Sequence, residues 1–204
     1  MKLIVSKYLS DIRFWIILTL LIRMIGITDP PIEIGHNWRQ TTVAMAARNF
    51  LEVDNNILYP RIDIAGEKTG ITGMEFPLLN YIIYLLSYLF GYEHWYGRLI
   101  NVFISSLGAW FFFKLIARYF TQKTAFNATF ILLFSVWLSY SRKIMPDTFS
   151  MSFVLAALYY GTNYFDSKNK KESLSSILLY LVLLCFDVLS KIPWVSMVVL
   201  FIFF

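Results

Sequence analysis

The apolar residues of this chain are gathered into long blocks that charged residues rarely interrupt. The clearest blocks cover 99–117, 125–140, 148–165 and 174–190. A helix of roughly 20 apolar residues crosses the hydrocarbon core of a bilayer. The chain is 58% hydrophobic and 15% charged, whereas soluble domains carry about a quarter charged residues. Both features predict an all-α protein of the membrane.

The blocks predict a polytopic protein with spans at about 12–28, 98–118, 124–141, 148–165 and 174–190. A sixth run, 193–204, is too short to cross, and its apolar end predicts that the chain is part of a longer protein. The run 77–91 is also short and carries Asn80 and several tyrosines, which favours a helix lying in the interface. A polar outer loop over 29–76 precedes it.

Basic segments between the spans set the predicted orientation. Cytoplasmic loops are enriched in Lys and Arg, and the N-terminal segment carries three basic residues before residue 14. If the run 77–91 does not cross, the basic loops at 118–123 and 166–172 fall on the same side as the N-terminus. We therefore predict a cytoplasmic N-terminus. The first span is predicted to be retained, because no small-residue cleavage site follows it.

The remaining composition excludes several function classes. The single cysteine, Cys185, allows neither a disulfide within the chain nor a cysteine-based metal site. The net charge of +5 comes from short scattered loops, which argues against nucleic-acid binding. No Lys-Ser or Lys-Thr pair follows the glycines at 66, 70 and 73 in the pattern of a phosphate-binding loop.

Three segments on the predicted outer face hold polar groups beside the membrane: 35–42, 72–78 and 141–147. Arg142, Lys143 and, further along, Lys191 are basic residues on the side where the positive-inside rule does not place them. An anionic ligand is the simplest reason for such charges. A lipid phosphate fits, because it presents an anion at headgroup depth that Arg binds with two hydrogen bonds.

A carboxylate beside these cations would complete a group-transfer site. A carboxylate takes a proton from an attacking hydroxyl, and the cations stabilise the phosphate as a leaving group. Glu75, at the start of the interfacial helix, and Asp147 are the candidates. A carboxylate and a phosphate together can also hold a divalent cation, Mg²⁺ or Mn²⁺, with Asp147 as its protein ligand.

Short motifs along the whole chain resemble one family. They are, in order, His36-x-Trp38-Arg39-Gln40, Ala47-Arg48-Asn49-Phe50, Asn56-x-x-Tyr59-Pro60-Arg61-x-Asp63, Glu75-Phe76-Pro77-Leu78, Gly97-Arg98-Leu99, Arg142-x-x-Met145-Pro146-Asp147 and Lys191-x-Pro193. Together they resemble the N-terminal part of bacterial polyprenyl-phosphate-dependent glycosyltransferases. These are membrane enzymes of the GT-C type, related to the aminoarabinose (lipid A) transferases and to the protein O-mannosyltransferases of glycosyltransferase family 39.

The resemblance implies a GT-C fold with a large first outer loop and an interfacial helix. It implies transfer of a sugar from a polyprenyl-phosphate donor, undecaprenyl phosphate in a bacterium, to a glycan, lipid or protein acceptor. The reaction would take place at the outer face of the inner (plasma) membrane by a single displacement with inversion. Asp147 matches the acid of the family's second outer loop, and Lys191 matches a lysine near the donor phosphate.

Two positions depart from the family pattern. Relatives carry an Asp-Glu pair where this chain has Arg39-Gln40, and Lys or His where it has Glu75. The acid and the base are thus exchanged, and the catalytic base is either Glu75 or Asp147. Arg39 is then a ligand of the donor phosphate or of the acceptor. The other residues expected at the substrate or at the donor phosphate are His36, Trp38, Gln40, Arg61, Arg142, Lys143 and Lys191.

Several of these residues also have an ordinary structural interpretation. His36 can be a simple loop histidine, and Trp38 an aromatic anchor at the interface. Arg48 can pair with Glu52 at i, i+4, and Asp147 can cap the helix that follows it.

Two other functions fit the same composition. A carrier or flippase-like protein would handle a lipid-linked sugar without chemistry, and it would not need Glu75 or Asp147. An assembly subunit would bind a partner with its outer loop, and it would tolerate neutral residues at 142, 143 and 191. The three hypotheses therefore differ in the charges that function requires.

Overall fold

The computed structural model describes residues 9–30, 35–64, 66–166 and 170–190, and in these ranges the chain forms eight helices and no strand. The helices are α1 Ile12–Met24, α2 Asn37–Glu52, α3 Leu78–Phe90, α4 Tyr96–Tyr119, α5 Gln122–Leu133, α6 Val136–Tyr140, α7 Pro146–Asp166 and α8 Lys170–Ser190. An isolated antiparallel bridge joins Arg61 to Ile71 in the loop between α2 and α3. The all-α prediction is confirmed for this part of the chain.

Helix α1 ends at Met24, earlier than the span predicted over 12–28. Gly26 adopts a φ of 64°, the left-handed conformation that commonly closes a helix and that glycine adopts most readily. The amide of Ile27 then bonds the carbonyl of Met24 at 3.1 Å. The helix therefore ends at Met24, two residues before this glycine.

The segment predicted as a span over 124–141 forms two helices, α5 and α6, which are separated at Ser135; whether the segment crosses the membrane stays a prediction. The backbone of Ser135 is extended, with φ −75° and ψ 156°. Its hydroxyl donates to the carbonyl of Leu132 at 2.7 Å and accepts from the amide of Leu138 at 3.4 Å. Serine offers the backbone such local alternatives to helical bonds, so Ser135 ends one helix and begins the next.

Helix α4 packs against α1, α5 and α7 and forms the centre of the helical assembly. Its buried face carries small and polar side chains such as Asn101, Ser105 and Ser106, whereas Phe103 and Leu107 are about half exposed. Soluble proteins bury their large apolar side chains. Small and polar side chains between helices, with large apolar ones outside, are typical of packing in lipid.

Within the described ranges, α4 is the helix whose length and composition suffice to cross a membrane. Helix α3 has 13 residues, which is about 20 Å at 1.5 Å per residue, and a hydrocarbon core is about 30 Å thick. Its helical state is confirmed and its length suits a helix that does not cross. Its place in the interface stays a prediction.

Three apolar clusters hold the helices together. The first joins α2, α3, α4 and α7 and consists of Val43, Ala47, Leu79, Ile83, Tyr96, Ile144 and Phe149. The second joins α1, α4, α5 and α6 through Ile12, Ile16, Ala109, Leu133 and Leu138. The third joins α7 to α8 through Val154, Ala157 and Tyr180. The first cluster fixes α2 against the start of α7.

The loop between α2 and α3 is tied back onto α2. Asp63 accepts hydrogen bonds from Arg48 and from Asn49 Nδ2, the latter at 2.9 Å. Asn49 Nδ2 also donates to the carbonyl of Arg61 at 3.0 Å. Arg48 lies 3.6 Å from Glu52, so the expected i, i+4 pair exists, but the contact of Arg48 with Asp63 is the closer one.

Candidate active site

Three charged side chains from separate elements meet at one place. Arg39 lies in the first turn of α2, Glu75 lies just before α3, and Asp147 lies in the first turn of α7. Arg39 Nη2 donates to Glu75 Oε1 at 2.7 Å. Arg39 Nε lies 3.7 Å from Asp147 Oδ2. One guanidinium therefore contacts both carboxylates that the sequence proposes as catalytic.

This cluster is open to its surroundings. The side chains of Arg39, Glu75 and Asp147 are 36%, 45% and 28% exposed. Exposed ion pairs contribute about 0–1 kcal/mol to stability, so stability alone is a weak reason for three charges to converge. Their accessibility suits a ligand that binds to the charges.

Gln40 lies behind this cluster and is fully buried. Its Oε1 accepts a hydrogen bond from the amide of Ile144 at 3.2 Å, which links α2 to the loop before α7. The side chain presents no open surface to a ligand. Gln40 therefore holds the loop in place, and its expected contact with the substrate stays a prediction.

Asn101 on α4 holds the same loop from below. It is fully buried, and its Nδ2 donates to the carbonyls of Lys143 and Met145 at 2.6 and 2.9 Å. At Gly97, one turn earlier, an added Cβ would lie 2.5 Å from Ile144 Cγ2, so the loop rests directly on the helix. Sequence reasoning missed Asn101, although an amide inside an apolar helix is itself a signal.

The two basic residues of this loop reach back toward the beginning of the chain. Arg142 Nη2 donates to the carbonyl of Gly26 at 2.7 Å, and Lys143 Nζ donates to the carbonyl of Gly35 at 2.7 Å. Gly35 lies four residues before Arg39. The structure therefore brings both predicted cations to the segments that lead into the Arg39 cluster.

His36 and Trp38 flank the start of α2. The backbone of His36 is left-handed, with φ 61°, and its ring lies 5.5 Å from the ring of Tyr140 in an edge-to-face contact. Lys143 Nζ lies 5.3 Å from the centre of the same tyrosine ring. Trp38 is 68% exposed. His36 is thus joined to the loop of Lys143, while Trp38 presents its face outward.

Two other predicted ligands are not placed in this cluster by the structure. Arg61 donates to the carbonyl of Thr69 at 2.8 Å and lies 3.5 Å from Asp54, which are contacts within the outer loop. Lys191 lies outside the described residues.

Basic side chains hold five consecutive carbonyls after α1. Arg98, fully buried, donates to the carbonyls of residues 27, 29 and 30. His94 Nε2 lies 2.9 Å from the carbonyl of residue 28, and Arg142 binds that of residue 26. Sequence reasoning missed this role, although an arginine in an apolar run is unusual. Together they fix the segment that precedes α2.

The cation expected at Asp147, held there together with a donor phosphate, stays a prediction, whereas a cation shared by Asp147 and Glu75 does not fit this arrangement. Among the described residues, no group of three or more His, Cys, Asp or Glu side chains is placed to hold a metal ion. The guanidinium of Arg39 contacts both Glu75 and Asp147, so it takes the place that a cation shared by these carboxylates would need. We therefore assign no step to a metal.

A cavity of about 250 Å³ lies next to Asp147. Its walls are formed by Trp137 and Tyr140 of α6, Met145, and Asp147 and Thr148 of α7. The separation of α5 from α6 at Ser135 gives α6 its own direction, and α6 supplies the aromatic wall of this cavity.

Comparison with known proteins identifies a family whose profile matches this chain. The profile of the family described as dolichyl-phosphate-mannose-protein mannosyltransferase matches residues 75–204, well over half of the chain. The match includes Glu75 and Asp147, and Arg39 precedes it. No curated protein and no solved structure matches the chain. Members of this family are integral membrane glycosyltransferases that use a polyprenyl-phosphate-sugar donor. The chain therefore belongs to the dolichyl-phosphate-mannose-protein mannosyltransferase family.

Proposed function

We propose that this protein transfers a sugar from a polyprenyl phosphate, undecaprenyl phosphate in a bacterium, to an acceptor hydroxyl at the outer face of the plasma membrane. The observation that carries the proposal is the contact of one guanidinium, that of Arg39, with both Glu75 and Asp147. An anion-binding group and a proton acceptor thus lie side by side, and transfer from a phosphate needs both.

In the proposed reaction a carboxylate accepts the proton of the acceptor hydroxyl. The hydroxyl oxygen forms a bond to the anomeric carbon, the bond from that carbon to the phosphate oxygen breaks, and the phosphate leaves with the electron pair. Arg39 stabilises the charge on the departing phosphate. A single displacement of this kind inverts the anomeric configuration.

The distances divide the two carboxylates between the two tasks. Glu75 is bonded to Arg39 at 2.7 Å, whereas Asp147 lies 3.7 Å from it. We assign the base to Asp147, because a phosphate that pairs with Arg39 more readily displaces the carboxylate that lies farther from the guanidinium. Glu75 keeps the guanidinium in place. Arg142, Lys143 and Lys191 add positive charge for the phosphate, and His36 and Trp38 are proposed contacts of the acceptor or of lipid.

Contacts between helix ends support the predicted topology. Arg98, near the start of α4, binds the carbonyls that follow α1, and Arg142, just before α7, binds Gly26. The end of α1 and the beginnings of α4 and α7 therefore lie on one side of the helical assembly. This is the arrangement expected if α1 crosses outward, α3 does not cross, and α4 crosses back.

Exposed apolar side chains support a multi-pass protein. Ile17 and Leu21 on α1, Ile131 on α5, and Leu178 and Val182 on α8 are each about half exposed or more. Such residues on several helices would face water in a soluble protein, whereas in a bilayer they face lipid tails. We therefore propose crossings at the spans predicted from the sequence, with the N-terminus in the cytoplasm.

Sugar transfer in membranes that carry this protein tests the proposal. A radiolabelled polyprenyl-phosphate sugar is supplied, and transfer is compared between the wild type and the Glu75→Gln, Asp147→Asn and Arg39→Gln variants. Glu52→Gln is the matched control, because Glu52 is an exposed carboxylate of the same outer region. We expect Asp147→Asn to lose transfer by about 10²-fold or more, while the control remains active.

The rival functions give different results in the same experiment. A carrier moves lipid-linked sugar with neither carboxylate, so undiminished flux in the double variant of Glu75 and Asp147 would favour it. An assembly subunit tolerates neutral residues at 142 and 143. Wild-type transfer by both single carboxylate variants would disprove the assignment of the base.

A further inference from the structure

We infer that the cavity beside Asp147 holds the sugar ring of the donor, an inference that rests on the proposed function and identifies where that substrate binds. The cavity has a volume of about 250 Å³ and is lined by Trp137, Tyr140, Met145, Asp147 and Thr148. It is thus a small pocket with a largely apolar wall and a few polar groups, the usual composition of a small-molecule site.

The chemistry of the wall suits a monosaccharide. A pyranose has faces of C–H groups and an edge of hydroxyls. The rings of Trp137 and Tyr140 offer broad apolar surfaces that each carry a polar tip, and Met145 is an adaptable apolar neighbour. The carboxylate of Asp147 accepts hydrogen bonds from hydroxyls. An alkyl chain would use the aromatic wall but would leave the polar groups without partners.

Two residues of the wall carry hydrogen-bonding atoms that the described part of the chain does not satisfy. Trp137 Nε1 and Thr148 Oγ1 are buried and have no hydrogen-bond partner there. Thr148 is 1% exposed. Buried polar atoms are nearly always paired, and each exception calls for an explanation. The hydroxyls of a sugar in the cavity would offer partners to both residues, and ordered water is the competing occupant.

The position of the cavity orients the donor. Asp147 belongs both to the cavity and to the charged cluster, where it lies 3.7 Å from Arg39 Nε. A ring in the cavity therefore has its anomeric end at Asp147 and its phosphate toward Arg39. Contacts with two other residues help to fix Tyr140: Lys143 Nζ lies 5.3 Å and the ring of His36 lies 5.5 Å from its ring.

Direct binding tests this inference separately from catalysis. The protein in lipid nanodiscs is titrated with polyprenyl phosphates that carry mannose, other hexoses or pentoses, and with sugar-free polyprenyl phosphate. The variants are Trp137→Leu, Trp137→Phe and Thr148→Val. Trp110→Leu is the control, because Trp110 is a tryptophan of α4 that does not line this cavity.

We expect the wild type to bind one sugar-bearing lipid about tenfold more tightly than the sugar-free lipid. Trp137→Leu and Thr148→Val should abolish most of this ratio while the Kd of the sugar-free lipid stays unchanged, which also shows that the variants are folded. Trp137→Phe should keep part of the ratio because it keeps the ring. Trp110→Leu should leave the ratio intact.

Three outcomes overturn the inference. In the first, the wild type binds no sugar-bearing lipid of the panel more tightly than the sugar-free lipid. In the second, the affinity ratio survives in both Trp137→Leu and Thr148→Val, so the cavity holds water. In the third, these variants raise the KM for the acceptor and leave the affinity ratio for the donor unchanged. If sugar-dependent binding is lost in the variants but the wild type transfers nothing, the cavity assignment stands and the proposed transferase function fails.

Discussion

Arg39 and Glu75 are joined by a 2.7 Å hydrogen bond across 36 residues of sequence, which make up most of the outer loop. The bond brings the two ends of the segment 39–75 together, because Arg39 lies in the first turn of α2 and Glu75 lies just before α3. The same guanidinium reaches Asp147 with another nitrogen. Loop closure and the proposed phosphate site thus depend on one side chain.

The planar fork of Arg39 should be essential, beyond its charge. Lysine keeps the charge but lacks the fixed geometry with which arginine contacts two carboxylates at once. We expect Arg39→Lys to reduce kcat/KM for transfer by about 10–100-fold, with little change in thermal stability in detergent. Arg13→Lys, at an exposed arginine that also pairs with a carboxylate, is the control. Full activity of Arg39→Lys would argue against a bidentate role.

Asn101→Leu should destabilise the protein and lower transfer together. The variant leaves two loop carbonyls, those of Lys143 and Met145, without their donor, and each buried unpaired group costs about 1–3 kcal/mol. We expect a clear fall in the unfolding temperature measured in detergent. Asn127→Leu, at an exposed amide on α5, should change it little. An unaltered Asn101→Leu protein would mean that the loop does not depend on this contact.

Gly97→Ala should be poorly tolerated, because the added methyl meets buried atoms. Its Cβ would lie 2.5 Å from Ile144 Cγ2 and 2.9 Å from Ile83 Cδ1, and overpacking of this kind costs about 1–3 kcal/mol. Gly73→Ala is the control, because no atom lies within 4 Å of a Cβ there. Unfolding temperatures report the difference, and Ile144→Ala in the same chain should restore part of the loss. Equal stability of the two glycine variants would contradict the packing.

Arg98→Leu should be among the most damaging substitutions. It removes donors to three carbonyls in the segment after α1. A buried carbonyl that is left without its donor, such as that of Ile27, lowers stability by about 1–3 kcal/mol. We expect the variant to accumulate poorly in membranes, with Arg98→Lys intermediate because its ammonium still donates. Limited proteolysis of the segment 26–38 reports the effect directly. Protection equal to that of the wild type in Arg98→Leu would show that other contacts suffice.

Most of the helices could be predicted from the sequence, because long apolar blocks and their spacing reflect local requirements of the backbone and its solvent. The ends of the helices could not be predicted as well. Gly26 and Ser135 carry the signals that end α1 and separate α5 from α6, but a hydropathy average does not register a single residue. The helix predicted over the segment 77–91 is confirmed as Leu78–Phe90, and Pro77 marks its beginning.

The site could be predicted from the sequence only in part. Charged residues beside apolar blocks pointed to Arg39, Glu75 and Asp147 one at a time, but their meeting depends on how α2, α3 and α7 pack. Gln40 shows the limit most clearly: it is polar and follows Arg39, yet the helix turns it into the core against Ile144. Sequence alone does not say which neighbouring polar residue faces a ligand and which faces the interior.

The carbonyls of residues 26–30 are bound by side chains that are synthesised later than they are. A chain is made from its N-terminus, so α1 emerges before any of the three side chains that will hold the segment after it. Arg98 and His94 arrive together with the start of α4, and Arg142 follows more than forty residues later. The segment after α1 therefore lacks its final restraints until these residues have been made, and it becomes fixed only when the loop before α7 packs against it.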